Sequence, residues 1–263
     1  MTLARTVAAE LRKTITLPAP LVAIGIALLG SLGITLLNAS YARAALAGNP
    51  NFAGFETSPV ETAFAAAPLG VVGAIVLGVV AFSSEYSANS VDAGGGRQIT
   101  TTLTATPQRL TLLAAKALTL LVVITLTAIV TTGLSLVLAH VATGPVPGHD
   151  DAAEVLGRVL GVAVYWSLMG LIALAVTVFA RSGVIPLIVL IANSSVVSLS
   201  FLLLRVTPLA RFLPDLAGIR LFARESFAAF DDVLDPLTGG LVMGAWALGL
   251  LLVSAVVFTR RDA

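Results

Sequence analysis

The chain has 263 residues, 57% hydrophobic and 11% charged, where a soluble domain carries roughly one quarter charged residues, so the composition places it in a bilayer. It has no cysteine, two histidines and a formal net charge of +1. These exclude a disulfide framework, thiol chemistry, a histidine-based metal cluster and a globally basic nucleic-acid-binding protein.

In residues 1–16, Leu3, Val7, Leu11 and Ile15 recur every fourth position, with Arg5, Glu10, Arg12 and Lys13 on other faces. The pattern predicts an amphipathic helix lying in the membrane interface; a simple basic flank is the alternative. Residues 17–84 hold the first two expected spans. Pro18 and Pro20 open an apolar run over Leu17–Leu37, where proline suits a first helical turn. A run of about 20 apolar residues crosses a bilayer core. A signal peptide is the competing reading, with Arg12-Lys13 as its charged region and Ala42-Arg43-Ala44 as a cleavage-like site. The apolar run is longer than the roughly 7–15 residues such peptides use.

A polar loop is expected over residues 40–60, then a second span from about Thr62 to Ser84. Gly70, Gly73 and Gly78 would let helices approach closely there. Residues 85–112 are a long polar interruption that cannot sit in lipid, because its backbone and side chains would go unpaired. Residues 113–204 hold the third to fifth spans. The third carries Thr125, Thr127, Thr131 and Thr132, whose hydroxyls are expected to bond back to their own helix. The fourth starts near Glu154, with Glu154 and Arg158 spaced to pair on its first turn. Arg181-Ser182-Gly183 turns the chain into the fifth, about Val184–Leu204, with Asn193, Ser194 and Ser195 near its midpoint. Residues 205–238 mix apolar and charged groups and suggest short helices dipping into the interface. A sixth span covers residues 239–259.

Six spans put both termini on one side. Nine basic residues fall on that side and six on the other, and the bias is sharpest at Arg12-Lys13 and Arg260-Arg261. The positive-inside rule then predicts cytoplasmic termini and a cytoplasmic 85–112 segment.

The motifs of an energy source are absent. Gly94-Gly95-Gly96-Arg97 lacks the Lys-Ser/Thr of a P-loop and reads as a hinge. No expected span has an acid near its midpoint, which disfavours an ion-coupled carrier. Ser135 and His140 lie on one helix, and H-E-x-x-H is absent, which disfavours membrane proteases. A chain that spans the membrane without a motor implies a second polypeptide that supplies the energy.

One stretch carries a family signal. It comprises Ser84-Glu85-Tyr86, Gly96-Arg97-Gln98-Ile99-Thr100, Thr102-Leu103, Pro107-Gln108-Arg109 and Ala115-Lys116. With the amphipathic N-terminus and the spans, it resembles the permease subunits of ABC-2 type ATP-binding-cassette transporters. The likeness is to the small bacterial ones of antibiotic and lantibiotic export and immunity. The resemblance implies an all-α membrane fold of six transmembrane helices. It also implies a cytoplasmic coupling helix between the second and third spans, and extracellular re-entrant helices before the sixth. It further implies a cytoplasmic ABC ATPase as partner, with ATP and Mg on that subunit and no cofactor in this chain. A second permease copy, or a similar permease, would complete the path in a bacterial cell membrane.

On that reading Glu85, Arg97, Gln98, Ile99, Leu103, Pro107 and Arg109 serve ATPase coupling. Ile99 and Leu103 share one face, with Leu110 near it, while the threonines and Pro107 limit the helix to a short one. Glu85 is expected to pair with Arg97, Arg109 or Lys116, and Arg109 with an ATPase acid or a lipid phosphate. Tyr165, Trp166, Asn193, Ser194 and Ser195 are candidate groups on the path of a hydrophobic or amphipathic cargo. A non-transporting membrane sensor and a self-contained carrier are the rival readings.

Overall fold

The structure is a computed structural model that describes residues 2–86, 98–105, 108–144, 146, 151–194, 199–223 and 234–260. Among the described residues the regular structure is helical throughout. Five helical runs are long and apolar enough to cross a membrane: Pro18–Leu46, Pro59–Tyr86, Arg109–Thr143, Ala152–Ala180 and Pro236–Arg260.

Helix α1 (Leu3–Thr16) stops where Leu17 turns extended, because a residue before proline is driven out of helical space. Leu3 and Ile15 stay exposed while Leu11 packs on the core. Helix α2 (Pro18–Leu46) runs nine residues beyond the expected end at Leu37. Its continuation is alanine-rich, and alanine keeps a helix going whatever the hydropathy. Tyr41, expected in a loop, instead stacks from α2 on Phe52 with centroids 5.1 Å apart. The inner face of α2 is a row of small residues, Ala23, Ala27, Ser31, Thr35, Ala39 and Ala42.

The second span is two helices. Helix α3 (Pro59–Phe64) is capped by Ser58, which accepts from the Glu61 amide. Helix α4 (Ala67–Ser83) restarts after a break and carries Pro68 in its first turn, where the missing amide costs nothing. A 3-10 turn, Ser84–Tyr86, ends the run. Helix α5 (Gln98–Ala105) follows, and α6 (Arg109–Thr143) is 35 residues long. Helix α7 (Ala152–Ala180) is capped by Asp151 and closes on Arg181 in the left-handed region, with φ 50°. This gives the expected hairpin into α8 (Val184–Asn193).

The expected single helix over 184–204 is not found. Helix α8 ends at Asn193, and α9 (Leu199–Leu204) is separate. The Ser194 hydroxyl bonds back to the Leu190 carbonyl at 2.8 Å, the local competition by which Asn and Ser end helices. The 205–238 segment contains a 3-10 turn, Pro208–Phe212, and a short α10 (Pro214–Ile219) buried from Asp215 to Ile219. Helix α11 (Pro236–Arg260) is the last.

Helices α4 and α7 form the centre, and α2, α6 and α11 keep exposed apolar faces. Close approach in the centre depends on glycine. A methyl group at Gly78 would lie 2.2 Å from the Gly170 carbonyl oxygen, and one at Gly73 would lie 2.5 Å from the Ala23 carbonyl oxygen. The expected role of these glycines is therefore met within one chain. Gly78→Ala must push two backbones apart, so a loss of about 1–3 kcal/mol is expected. Gly33→Ala meets nothing within 4 Å and is expected to be neutral or slightly stabilising. Thermal unfolding in detergent measures both. Of the α6 threonines, Thr127 bonds back to Val123 O at 2.8 Å as expected, whereas Thr125 pairs with Ser167 of α7 at 3.0 Å.

Candidate functional site

At one end of the bundle, four charges from three segments meet. Glu85, on the turn after α4, is fully enclosed. Its Oε1 accepts from Lys116 Nζ of α6 at 2.8 Å and from Lys13 Nζ of α1 at 2.7 Å. Its Oε2 accepts from the Thr102 hydroxyl of α5 at 2.7 Å. Lys116 is 1% exposed and also donates to Glu10 of α1 at 2.8 Å. Two acids and two bases alternate as Glu10, Lys116, Glu85 and Lys13, so the cluster is formally neutral. Buried ions cost several kcal/mol each unless paired and fully hydrogen-bonded, and here every carboxylate oxygen of Glu85 has a partner. The cluster therefore specifies one relative placement of α1, α4, α5 and α6.

Local sequence explains the arrangement. Glu10 and Lys13 are three apart and share a face of α1. Glu85 and Lys116 sit where α4 and α6 meet the polar segment, so both can turn inward at the same level. Of the three bases expected for Glu85, Lys116 is a partner. Lys13, read from sequence only as a charge on the polar side of an interfacial helix, is a second one. Two acids and two bases at span borders were the available signal, but their pairing required the fold.

Helix α5 lies over this cluster. Ile99 is 1% exposed and packs into the core, and Leu103 is half-buried against it. These two side chains hold α5 to the spans. The outward face is Thr100, Thr101, Thr104 and Ala105. Gln98 opens the helix. Leu110 does not share the buried face; it is exposed on α6. Arg97 and Pro107 lie outside the described residues. Arg109 donates from Nη1 to the Phe258 carbonyl at 2.8 Å, with its guanidinium 5.7 Å from the Phe258 ring centroid. It thereby caps the last turn of α11, where carbonyls lack helical partners.

The opposite end has its own clamp. Arg158 of α7 is 4% exposed. It forms a two-point pair with Glu61 of α3, with Nη2 to Oε2 at 2.9 Å, and donates from Nε to Phe222 O at 2.7 Å. Its guanidinium lies 4.1 Å from the Phe64 ring centroid. The expected Glu154–Arg158 pair is thus replaced: Arg158 faces the bundle interior, and Glu154 lies on the exposed side of the same turn.

The described candidate path residues are buried or half-buried. Trp166 is 1% exposed and donates from Nε1 to Ala67 O at 3.1 Å; Tyr165 is 2% exposed and packs on Phe222 with centroids 5.3 Å apart. Asn193 meets Ser200, Ser194 is turned back on α8, and Ser195 lies outside the described residues. No group of three metal-ligating side chains occurs among the described residues. What the arrangement can do is mechanical: it fixes a short exposed helix to the ends of three longer ones through charges that resist sliding. Neither protein-family models nor curated protein sequences give a match to this chain.

Proposed function

We propose that this chain is the membrane subunit of an ATP-driven exporter. The supporting observation is the enclosed carboxylate of Glu85, bonded at once to α1, α5 and α6. A push on the outward threonine face of α5 would be passed to two membrane helices and the interfacial helix, because the contact is charged and buried. The sequence carries no nucleotide-binding motif, so the push comes from a separate ATPase that holds ATP and Mg. In this reading α5 is the coupling helix and lies in the cytoplasm with both termini. Helices α8 and α9 together make the fifth crossing in chain order, as two half-helices. The short helices over 205–223 face outward, and Arg158 with Glu61 pins them to the bundle. Two copies, or this chain and a similar permease, enclose the path. The exposed apolar faces suit a hydrophobic or amphipathic cargo: a drug, a peptide antibiotic or a lipid-like molecule. The setting is a bacterial cell membrane.

The test is co-expression with a candidate ABC ATPase subunit. The ATPase is expected to co-purify, and inside-out vesicles are expected to accumulate an amphipathic dye only with ATP. Glu85→Gln is expected to retain the ATPase but lose most of the ATP-dependent uptake. Uptake by the chain alone, without nucleotide, would instead support the carrier reading. Failure to bring down the ATPase would support the sensor reading.

A further inference from the structure

Beside the charge cluster of Glu10, Lys13, Glu85 and Lys116 is a partly open cavity of about 20 Å³. Glu10, Lys13 and Thr14 of α1 line it, with Lys116, Thr119 and Leu120 of α6, and residues of α2 and α4 close the remaining sides. Glu85 is not part of its wall. The cavity thus adjoins the Glu10–Lys116 link and not the carboxylate of Glu85.

The polar residues of this wall have bonding capacity left over. Lys116 Nζ carries three N–H groups. Among the described residues it gives two of them, to Glu10 Oε2 and Glu85 Oε1, each at 2.8 Å. Thr119 is 3% exposed, and its hydroxyl has no hydrogen-bond partner. Bonding back to the preceding turn is the usual remedy for a hydroxyl within a helix. Thr127, two turns further along α6, adopts it with Val123 O at 2.8 Å, and Thr119 does not. Thr14 adds an acceptor, because the amide that would cover its carbonyl belongs to Pro18, and proline has none. A donor, an acceptor and a hydroxyl that serves as either therefore border one small space.

Size and charge decide the occupant. A water molecule needs about 10–15 Å³ and two to four polar partners, and the cavity meets both conditions. Dry cavities that take a benzene-sized molecule measure about 150 Å³, so a ring or a lipid tail is too large. A further ion is disfavoured because Glu10, Lys116, Glu85 and Lys13 already sum to zero. An added anion or cation would be enclosed beside them without a counter-charge.

We propose that this cavity is a water-binding site whose occupant makes the Glu10–Lys116 link replaceable. The water accepts the third N–H of Lys116 and bonds the Thr119 hydroxyl. When Glu10 swings away with α1, water is already at the ammonium, and a water-mediated bond is nearly as good as a direct one. No bare ion is then left in the bundle. Glu85 has no such substitute, because it is fully enclosed and lies outside the cavity wall. The cluster therefore has a firm side, Glu85 with Lys116, and a yielding side, where α1 shifts on α6. None of this depends on the chain's having an ATPase partner.

Radiolytic footprinting of the full chain in lipid nanodiscs tests the site, because a short X-ray exposure makes hydroxyl radicals in place from ordered water. Leu120 is 2% exposed and lines the cavity, whereas Ile124, one turn further and fully enclosed, does not. Leu120 is expected to be oxidised several-fold faster than Ile124. Thr119→Leu, which fills the space, is expected to bring Leu120 down to the rate of Ile124. Equal rates in the wild type would mean a dry cavity and overturn the proposal without recourse to any variant. A Leu120 rate unchanged in folded Thr119→Leu would place the water elsewhere and overturn it as well. For the yielding link, Glu10→Ala is expected to lower the unfolding temperature less than Glu85→Ala does, and the reverse order would contradict it.

Discussion

Lys116→Met is expected to destabilise the protein by about 3–5 kcal/mol, the cost of leaving a buried ion without its partner. Lys116 is 1% exposed and bridges Glu10 and Glu85. Without it, two carboxylates share one cation, Lys13, and Glu85 is fully enclosed. Methionine keeps most of the volume, so a packing defect contributes little. The double variant Glu85→Gln with Lys116→Met removes one charge of each sign. It leaves Glu10 and Lys13 three apart on α1, and the glutamine oxygen still accepts from Thr102. It is therefore expected to recover more than half of the loss. Chemical denaturation in detergent gives the full double-mutant cycle. A single-variant loss below about 1 kcal/mol, or simple additivity of the two changes, would show that the charges do not act as one unit.

The second large effect is expected at the other end of the bundle. Glu61→Ala strips the carboxylate from Arg158, which is 4% exposed. The Phe222 carbonyl and the Phe64 ring remain as partners. A loss of about 3 kcal/mol is expected. Arg158→Lys is expected to recover little function of the clamp, because an ammonium cannot make the two-point bond and stack on Phe64 together. Glu154→Ala, at the exposed position four residues before Arg158, is expected to cost less than about 1 kcal/mol. If Glu154→Ala proved the more damaging of the two, the local pairing read from sequence would be right and the long-range one wrong.

That contrast marks what the sequence could and could not reveal. Helix-period and turn chemistry made the helix of α1 and the α7–α8 hairpin legible. Gly78 and Gly73 announced close packing because nothing else permits it. Partnership was harder. Glu154 and Arg158 obey the local spacing rule, yet Arg158 takes a residue 97 positions away, and no periodicity encodes that. Lys13 looked like a charge on the polar side of an interfacial helix because a single helix cannot show what covers it. The break after Asn193 was visible as an Asn-Ser-Ser run, but hydropathy over the same window argued for a continuous span.

The outward face of α5 is the surface proposed to receive an ATPase. The chain has no cysteine, so Thr104→Cys introduces a single reactive thiol on that face. Cross-linking it in membranes that contain the co-expressed ATPase is the most direct test. A covalent product with the ATPase is expected, with labelling by an impermeant thiol reagent in inside-out vesicles but not in intact cells. Labelling of Thr104→Cys from outside intact cells, with no ATPase adduct, would contradict it.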